Sequence, residues 1–256
     1  MDETLRGLLF APAGLAVGIA AGWWLRGAWR RRRQRRRQRF LGLPAHAECL
    51  MVVGPGGGEG EDVARDDVFA LLELAALVAD CGARGQVVAA DSAPQGFGER
   101  TEFCVGGPVS NRRVAAHLRS LLPGVVVSAD AEDGRLRGTF AVGSERYRVD
   151  GGAAEYVLLA RLTAGEGNRP VFLVCGQRPV THQAATRYLA RQLPRLLRRY
   201  GPDGTFCLLL KVVNSHAYGP DVVELVADVT DAATTEPPPP GAGEDVPAVA
   251  AKRGRS

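Results

Sequence analysis

Two stretches of this chain share one plan, and they limit its possible folds more than any other feature. Phe103–Leu118, FCVGGPVSNRRVAAHL, is an apolar run that stops at a Gly-Gly-Pro turn and restarts at Ser110 and Asn111, both good helix caps. Val171–Leu189, VFLVCGQRPVTHQAATRYL, repeats the theme: an apolar run, Gly176, a few polar residues, then Thr181 as the expected cap of a second helix. Short apolar runs bounded by glycine and proline read as buried strands. A strand feeding a helix in this way is half of a βαβ unit. The rest of residues 48–213 follows suit. Strands are expected at ECLMVV, QVVAA, Thr101–Val105, VVVS, Tyr156–Leu162, Val171–Cys175 and Phe206–Val213, with Val222–Val229 as an edge strand. Helices are expected over Asp62–Asp80, Val109–Leu122 and Thr181–Tyr200, the last kinked or ended by Pro194. Leu136–Val142 and Arg146–Val149 read as a hairpin around Gly143-Ser144.

Charge divides the chain unevenly. Residues 1–39 carry ten arginines against Asp2 and Glu3, a net +8, while the whole 256-residue chain is only +4. The remainder is therefore mildly acidic, which argues against nucleic-acid binding by the folded part. Gly7–Leu25 is 19 residues without a charge, close to the roughly 20 a membrane-spanning helix needs. Nine arginines between Arg26 and Arg39 follow it, and three tryptophans (23, 24 and 29) sit where an interfacial belt belongs. This predicts a single transmembrane helix with the N-terminus outside, the C-terminal domain cytoplasmic and the Arg26–Arg39 run against anionic lipid. Gly14, Gly18 and Gly22 share a helix face and suggest a homodimer through close backbone contact. The expected organisation is 1–25 with the membrane helix at 7–25, 26–44 as an Arg-rich linker, 45–230 as the domain, and 231–256 as an unstructured Pro/Ala/Gly-rich tail. The expected fold is α/β: a Rossmann-like, mostly parallel sheet with helices on both faces and an inserted β-hairpin, preceded by one transmembrane helix.

The chemistry-bearing residues are sparse. Five cysteines are scattered singly, with no CxxC and no Cys/His spacing suited to zinc, and four of them sit in apolar runs; buried free thiols are expected. The four histidines stand in unrelated contexts, so no metal site is expected, and no cofactor is indicated. Asp62, Asp66, Glu73 and Asp80 form one polar stripe, as do Arg187, Arg191, Arg195 and Arg198; both read as solvated helix faces. The glycine loop 54–60 follows a strand but has Glu59 where a dinucleotide-binding loop needs its third glycine. The two strand–Gly–helix junctions carry more weight, because open α/β sheets bind ligands outside the carboxyl ends of strands, at helix N-termini. Candidate ligand-binding residues are Gly106, Gly107, Ser110, Asn111 and Arg112 at the first junction and Gly176, Gln177 and Thr181 at the second, with Asp91 at the end of the second strand. Arg112 and Arg113 in a first helical turn oppose the helix dipole, which points to a held anion or a salt bridge.

At the Gly106-Gly107-Pro108…Asn111 motif the chain resembles an uncharacterised prokaryotic group of Rossmann-like domains, some associated with conflict or signalling systems. The early helix DDVFALLELAALVADCG and the passage from Gly176 to Ala184-Ala185 add to the resemblance, though His182-Gln183 stands where Gly-Thr is expected before the paired alanines. The resemblance covers residues 48–213 and implies a nucleotide-like ligand. The leading expectation is a membrane-anchored binding or sensor domain for a phosphorylated or nucleotide-like ligand. The alternatives are a nucleotide- or ribosyl-processing enzyme, with Asp91, Glu99 or Glu102 as acids, and an oligomerising scaffold with a vestigial pocket.

Overall fold

The computed structural model of the chain describes residues 3–55, 62–94, 96, 98–128, 139–148, 150, 153–163, 165, 167–176 and 178–236, with side chains from residue 22 onward. In chain order, helix α1 (Glu3–Leu41) leads to β1 (Glu48–Val53), α2 (Arg65–Asp80), β2 (Arg84–Ala89), β3 (Thr101–Val105) and α3 (Arg112–Leu121). Three short strands follow: β4 (Val125–Ser128), β5 (Thr139–Val142) and β6 (Glu145–Arg148). The chain then forms β7 (Ala154–Leu162), β8 (Val171–Gly176), α4 (Pro179–Tyr200), β9 (Phe206–Val213), α5 (Ser215–Tyr218), β10 (Val223–Asp228) and α6 (Thr230–Thr234).

The main sheet has seven strands in the order β10-β9-β7-β8-β3-β1-β2. β1 is parallel to β2 and β3, and β3 to β8. β7 runs against β8 and β9, and β10 against β9. The sheet is therefore largely parallel, with two reversed strands. The reversal of β7 has a simple cause: only residues 163–170 join it to β8, too few for a crossover, so β8 must return beside it. β1, β3 and β8 are buried on both faces, which is why they read as unbroken apolar runs. The expected hairpin is β5–β6, and β4 joins it to make a separate three-stranded sheet.

Strand alternation divides the core in two. On one face Met51, Val53, Phe103, Val157, Phe172, Val174 and Phe206 pack under α2 and α4. On the other, Val52, Cys104, Leu158, Leu173 and Cys207 meet Val114 and Leu118 of α3, Phe140 of β5 and Ala233 of α6. Helices thus cover both faces. All five cysteines are buried and free.

Several boundaries differ from the sequence expectation. The 26–44 stretch is continuous helix to Leu41, and Phe40, Leu41 and Leu43 belong to the core; Phe40 lies 6.2 Å from the rings of Phe172 and Phe206. Buried Arg161 fastens this end by donating to the carbonyls of Phe40, Pro202, Asp203 and Gly204. α4 starts at Pro179 rather than Thr181 and runs through Pro194 to its expected end at Tyr200. Residues 230–234 are helical rather than tail, because Ala233 is held in the core; residues 237–256 lie outside the described residues. Among the described residues no helix is long and apolar enough to cross a membrane. The side chains of residues 3–21, which include most of the 7–25 segment and Gly14 and Gly18, lie outside the described residues.

Candidate functional site

The carboxyl ends of β2, β1, β3 and β8 open on one edge of the sheet. From β1 the chain goes to β2 by way of α2 on one face; from β3 it leaves through α3 on the other. Strands β1 and β3 diverge there, the switch point at which open α/β sheets hold ligands.

β3 and β8 are hydrogen-bonded neighbours, so the two glycine junctions come together at this edge. Gly106 has φ +136°, open only to glycine, and its N–H donates to Val174 O at 3.0 Å. A Cβ on Gly107 would stand 3.0 Å from Gly176 O. Gly54, at the end of β1, has its Cβ position filled by the Ser110 backbone. Ser110 Oγ donates to Gly107 O at 3.4 Å.

Asn111 is the cap of α3. Its Oδ1 accepts from the N–H groups of Arg113 and Val114 at 3.0 and 3.1 Å, and its Nδ2 donates to Val52 O and Val105 O at 3.3 and 2.9 Å. Fully buried, the side chain ties the ends of β1 and β3 to the helix that follows, and all four of its hydrogen-bonding positions are used. Arg112 is exposed on the first turn of α3. Asp91 is exposed at the end of the edge strand β2, where it accepts from Ser92 Oγ. Gln177 lies outside the described residues. Thr181 is not the cap of α4: the helix starts two residues earlier at Pro179, Arg178 takes the cap position without a side-chain bond, and Thr181 Oγ1 donates to Arg178 O at 2.7 Å. The polar stripes are partly paired, with Arg187 held by Glu73 and Asp221 and Arg191 by Asp221.

Two buried polar clusters lie on the two faces of the sheet, one toward the amino end of β3 and one at the carboxyl edge of β8. Beneath α3, Glu102 is held by Arg113 through both carboxylate oxygens, at 3.0 and 2.5 Å, while His117 Nε2 lies 3.1 Å from Oε2. Burial pushes the Glu102 carboxyl up, but the hydrogen bonds from His117 and Arg113 and the guanidinium charge outweigh it, leaving the group below its usual range. Arg113 thus takes the salt-bridge course. The ligand atoms of Glu102, Cys104 and His117 lie within 4.8 Å of one another. This set does not fit a cation, since a guanidinium occupies the carboxylate and burial pushes the Cys104 thiol well up. Glu102 is accordingly no free acid, and Glu99 is exposed.

On the opposite face, His182 of α4 and Asp67 of α2 are both buried, with Nδ1 and Oδ1 2.6 Å apart. The Asp67 carboxylate accepts from Nδ1, which in the corresponding neutral tautomer leaves Nε2 as an acceptor. That Nε2, equally buried, has no hydrogen-bond partner among the described residues. A Cβ on Gly176 would meet it at 3.1 Å. Nearby, buried Glu155 at the start of β7 pairs with Arg178 through Oε1 and leaves Oε2 without a partner among the described residues. The acidic stripe 62-66-73-80 passed over Asp67. Its spacing to Leu71, Leu74 and Val78, four, seven and eleven residues on, puts it on the apolar face, where a carboxylate requires a partner.

No protein-family model matches the chain, and neither does any curated protein.

Proposed function

We propose that residues 38–236 form a binding domain that senses a phosphorylated or nucleotide-like ligand at the carboxyl edge of its sheet. Gly106, Gly107, Ser110 and Arg112 would receive the phosphate, and Gly176 and Thr181 would frame the other side. The observation that carries the reading is the contact between the two glycine junctions, with Gly107 against Gly176 O and both helix starts facing one edge. Asn111 then acts by positioning α3. The test is the melting temperature of the full chain against a panel of nucleotides and inorganic phosphates, followed by product analysis of each hit. A shift without turnover supports a sensor. Turnover indicates a nucleotide- or ribosyl-processing enzyme, and the absence of any shift leaves the scaffold.

The same reading places the domain on the cytoplasmic side of a membrane, tethered by residues 7–25. Trp23, Trp24 and Trp29 are each at least three-quarters exposed on a stretch of α1 beyond the core, next to the arginine run, which suits a bilayer interface with anionic lipid. A reporter fused after Ser256 should be active only in the cytoplasm; activity outside overturns the orientation. Among the described residues nothing lies within 4 Å of a Cβ placed on Gly22, as a groove for a second copy requires. Gly18→Leu should abolish an in-membrane dimerisation signal, and an unchanged signal refutes the homodimer.

A further inference from the structure

Two buried atoms at the site edge on the α2/α4 face of the sheet, His182 Nε2 and Glu155 Oε2, have no hydrogen-bond partner among the described residues. Unpaired buried polar atoms are rare because they are costly, and each calls for a reason. These two belong to one neighbourhood. Val157 is the register partner of Gly176, against which the His182 ring packs, and Glu155 sits two residues further along β7 on the same face. Strand spacing and rise put its Cα roughly 8 Å from that of Gly176.

As the second oxygen of a carboxylate paired with Arg178 and the free nitrogen of the Nδ1–H tautomer, both atoms offer lone pairs. Nδ1–H is committed to Asp67 and Glu155 Oε1 to Arg178. They therefore repel phosphate oxygens and require donors. A cation is disfavoured as well: Arg178 answers the charge of Glu155, the Asp67 carboxylate is held by His182, and α4 presents a first turn without a side-chain cap, its positive end. Neutral hydroxyls remain. We propose that His182 Nε2 and Glu155 Oε2 form an acceptor pair that recognises a hydroxyl-bearing group of the ligand, such as the vicinal diol of a ribosyl unit, with Asp67 fixing the histidine tautomer. This rests on the reading that a ligand occupies the carboxyl edge, and it separates a phosphate side at Gly106–Gly107 from a sugar side at β8.

The test is calorimetric titration of the full chain with the four ribonucleoside 5′-monophosphates, their 2′,3′-dideoxy counterparts, the free ribonucleosides and pyrophosphate. The diol-bearing compounds should bind about tenfold or more tighter than their dideoxy counterparts, the worth of one to two hydrogen bonds. His182→Ala and Glu155→Gln should each reduce that preference about threefold or more, the worth of one hydrogen bond, while leaving pyrophosphate affinity unchanged. Glu155→Gln keeps the side-chain shape and turns an amide donor toward the hydroxyls, so it serves where His182→Ala lowers folding. Equal affinity for ribo and dideoxy compounds, a preference undiminished in both variants, or no binding by any diol-bearing compound overturns the proposal. If ribonucleosides bind as tightly as their monophosphates and pyrophosphate does not bind, the phosphate reading fails and the acceptor pair stands. If pyrophosphate binds and the diol adds nothing, the reverse holds.

Discussion

Arg113→Met should be among the most damaging single changes available on α3. Glu102 is 3% exposed and Arg113 holds it through two contacts, leaving His117 and the Cys104 thiol among the described residues once the guanidinium is gone. Removing one partner of a buried ion pair strands the other, at a cost of about 3–5 kcal/mol. Against a total stability of about 5–15 kcal/mol for a domain, that is a large fraction. The effect has a pH signature. In the wild type Glu102 lies below its ordinary value, so its contribution is present above that value, near 4.3, and is lost as pH falls through the folded one. In the variant the offsetting guanidinium is absent, burial pushes the carboxyl up, and acid relieves the penalty by protonating it. The gap between the two proteins should therefore be widest near pH 7 and narrow as pH falls toward about 4. Urea denaturation of the full chain followed by far-ultraviolet circular dichroism, at several pH values, measures both. A gap below about 1 kcal/mol, or one that is independent of pH, would show that the pair contributes little and that α3 is held by its apolar face alone.

Asn111→Ala should lower stability by at least about 1–2 kcal/mol, since it removes a cap and two links to β1 and β3; an unchanged melting temperature would refute the capping role. Gly176→Ala should cost about 1–3 kcal/mol through overpacking, because its Cβ would lie 2.9 Å from His182 Cδ2, inside van der Waals contact, and closer still to Thr181 Oγ1. All five thiols should resist alkylation in the native chain near neutral pH and react together on unfolding, Cys49 and Cys175 being pushed up to about 12 by burial; stoichiometric labelling of the folded protein would contradict this. Arg161→Met should loosen the joint between α1 and the domain, read as faster proteolysis around residues 39–43; an unchanged rate would show that Phe40 and Leu41 suffice.

Local structure was legible where pattern and burial agree. β1, β3 and β9 have the bounds that their apolar runs suggest, because each run ends at a turn residue, Gly54, Gly106 and Asn214, the last two at positive φ. Asn111 as a cap was equally readable from its place after Gly-Gly-Pro. What the chain did not reveal is pairing. Nothing in Val171–Gly176 says that β8 lies beside β3, so the contact of the two glycine junctions emerges only from the sheet order. The same holds for Asp67 and His182, which are 115 residues apart. Each falls on the apolar stripe of its own helix, Asp67 with Leu71 and Leu74 and His182 with Ala185 and Leu189, and that misplacement signals a partner without naming it. Arg113 was caught between two readings, anion site and salt bridge, because Glu102 points toward it only after β3 and α3 pack.

The placement of the tryptophans has a spectroscopic consequence. All three in the chain lie on α1 at positions 23, 24 and 29, exposed by 76, 75 and 77%, and none is in the α/β core. Intrinsic indole emission therefore reports the surroundings of this one helix and is nearly silent when the sheet unfolds. Contact of α1 with an apolar phase should shift that emission to the blue while the core stays intact. Unfolding of the core should instead register through tyrosine, since Tyr188, Tyr200, Tyr156 and Tyr147 pack against it. The chain thus carries two separate optical reporters, one for its N-terminal rod and one for its folded body.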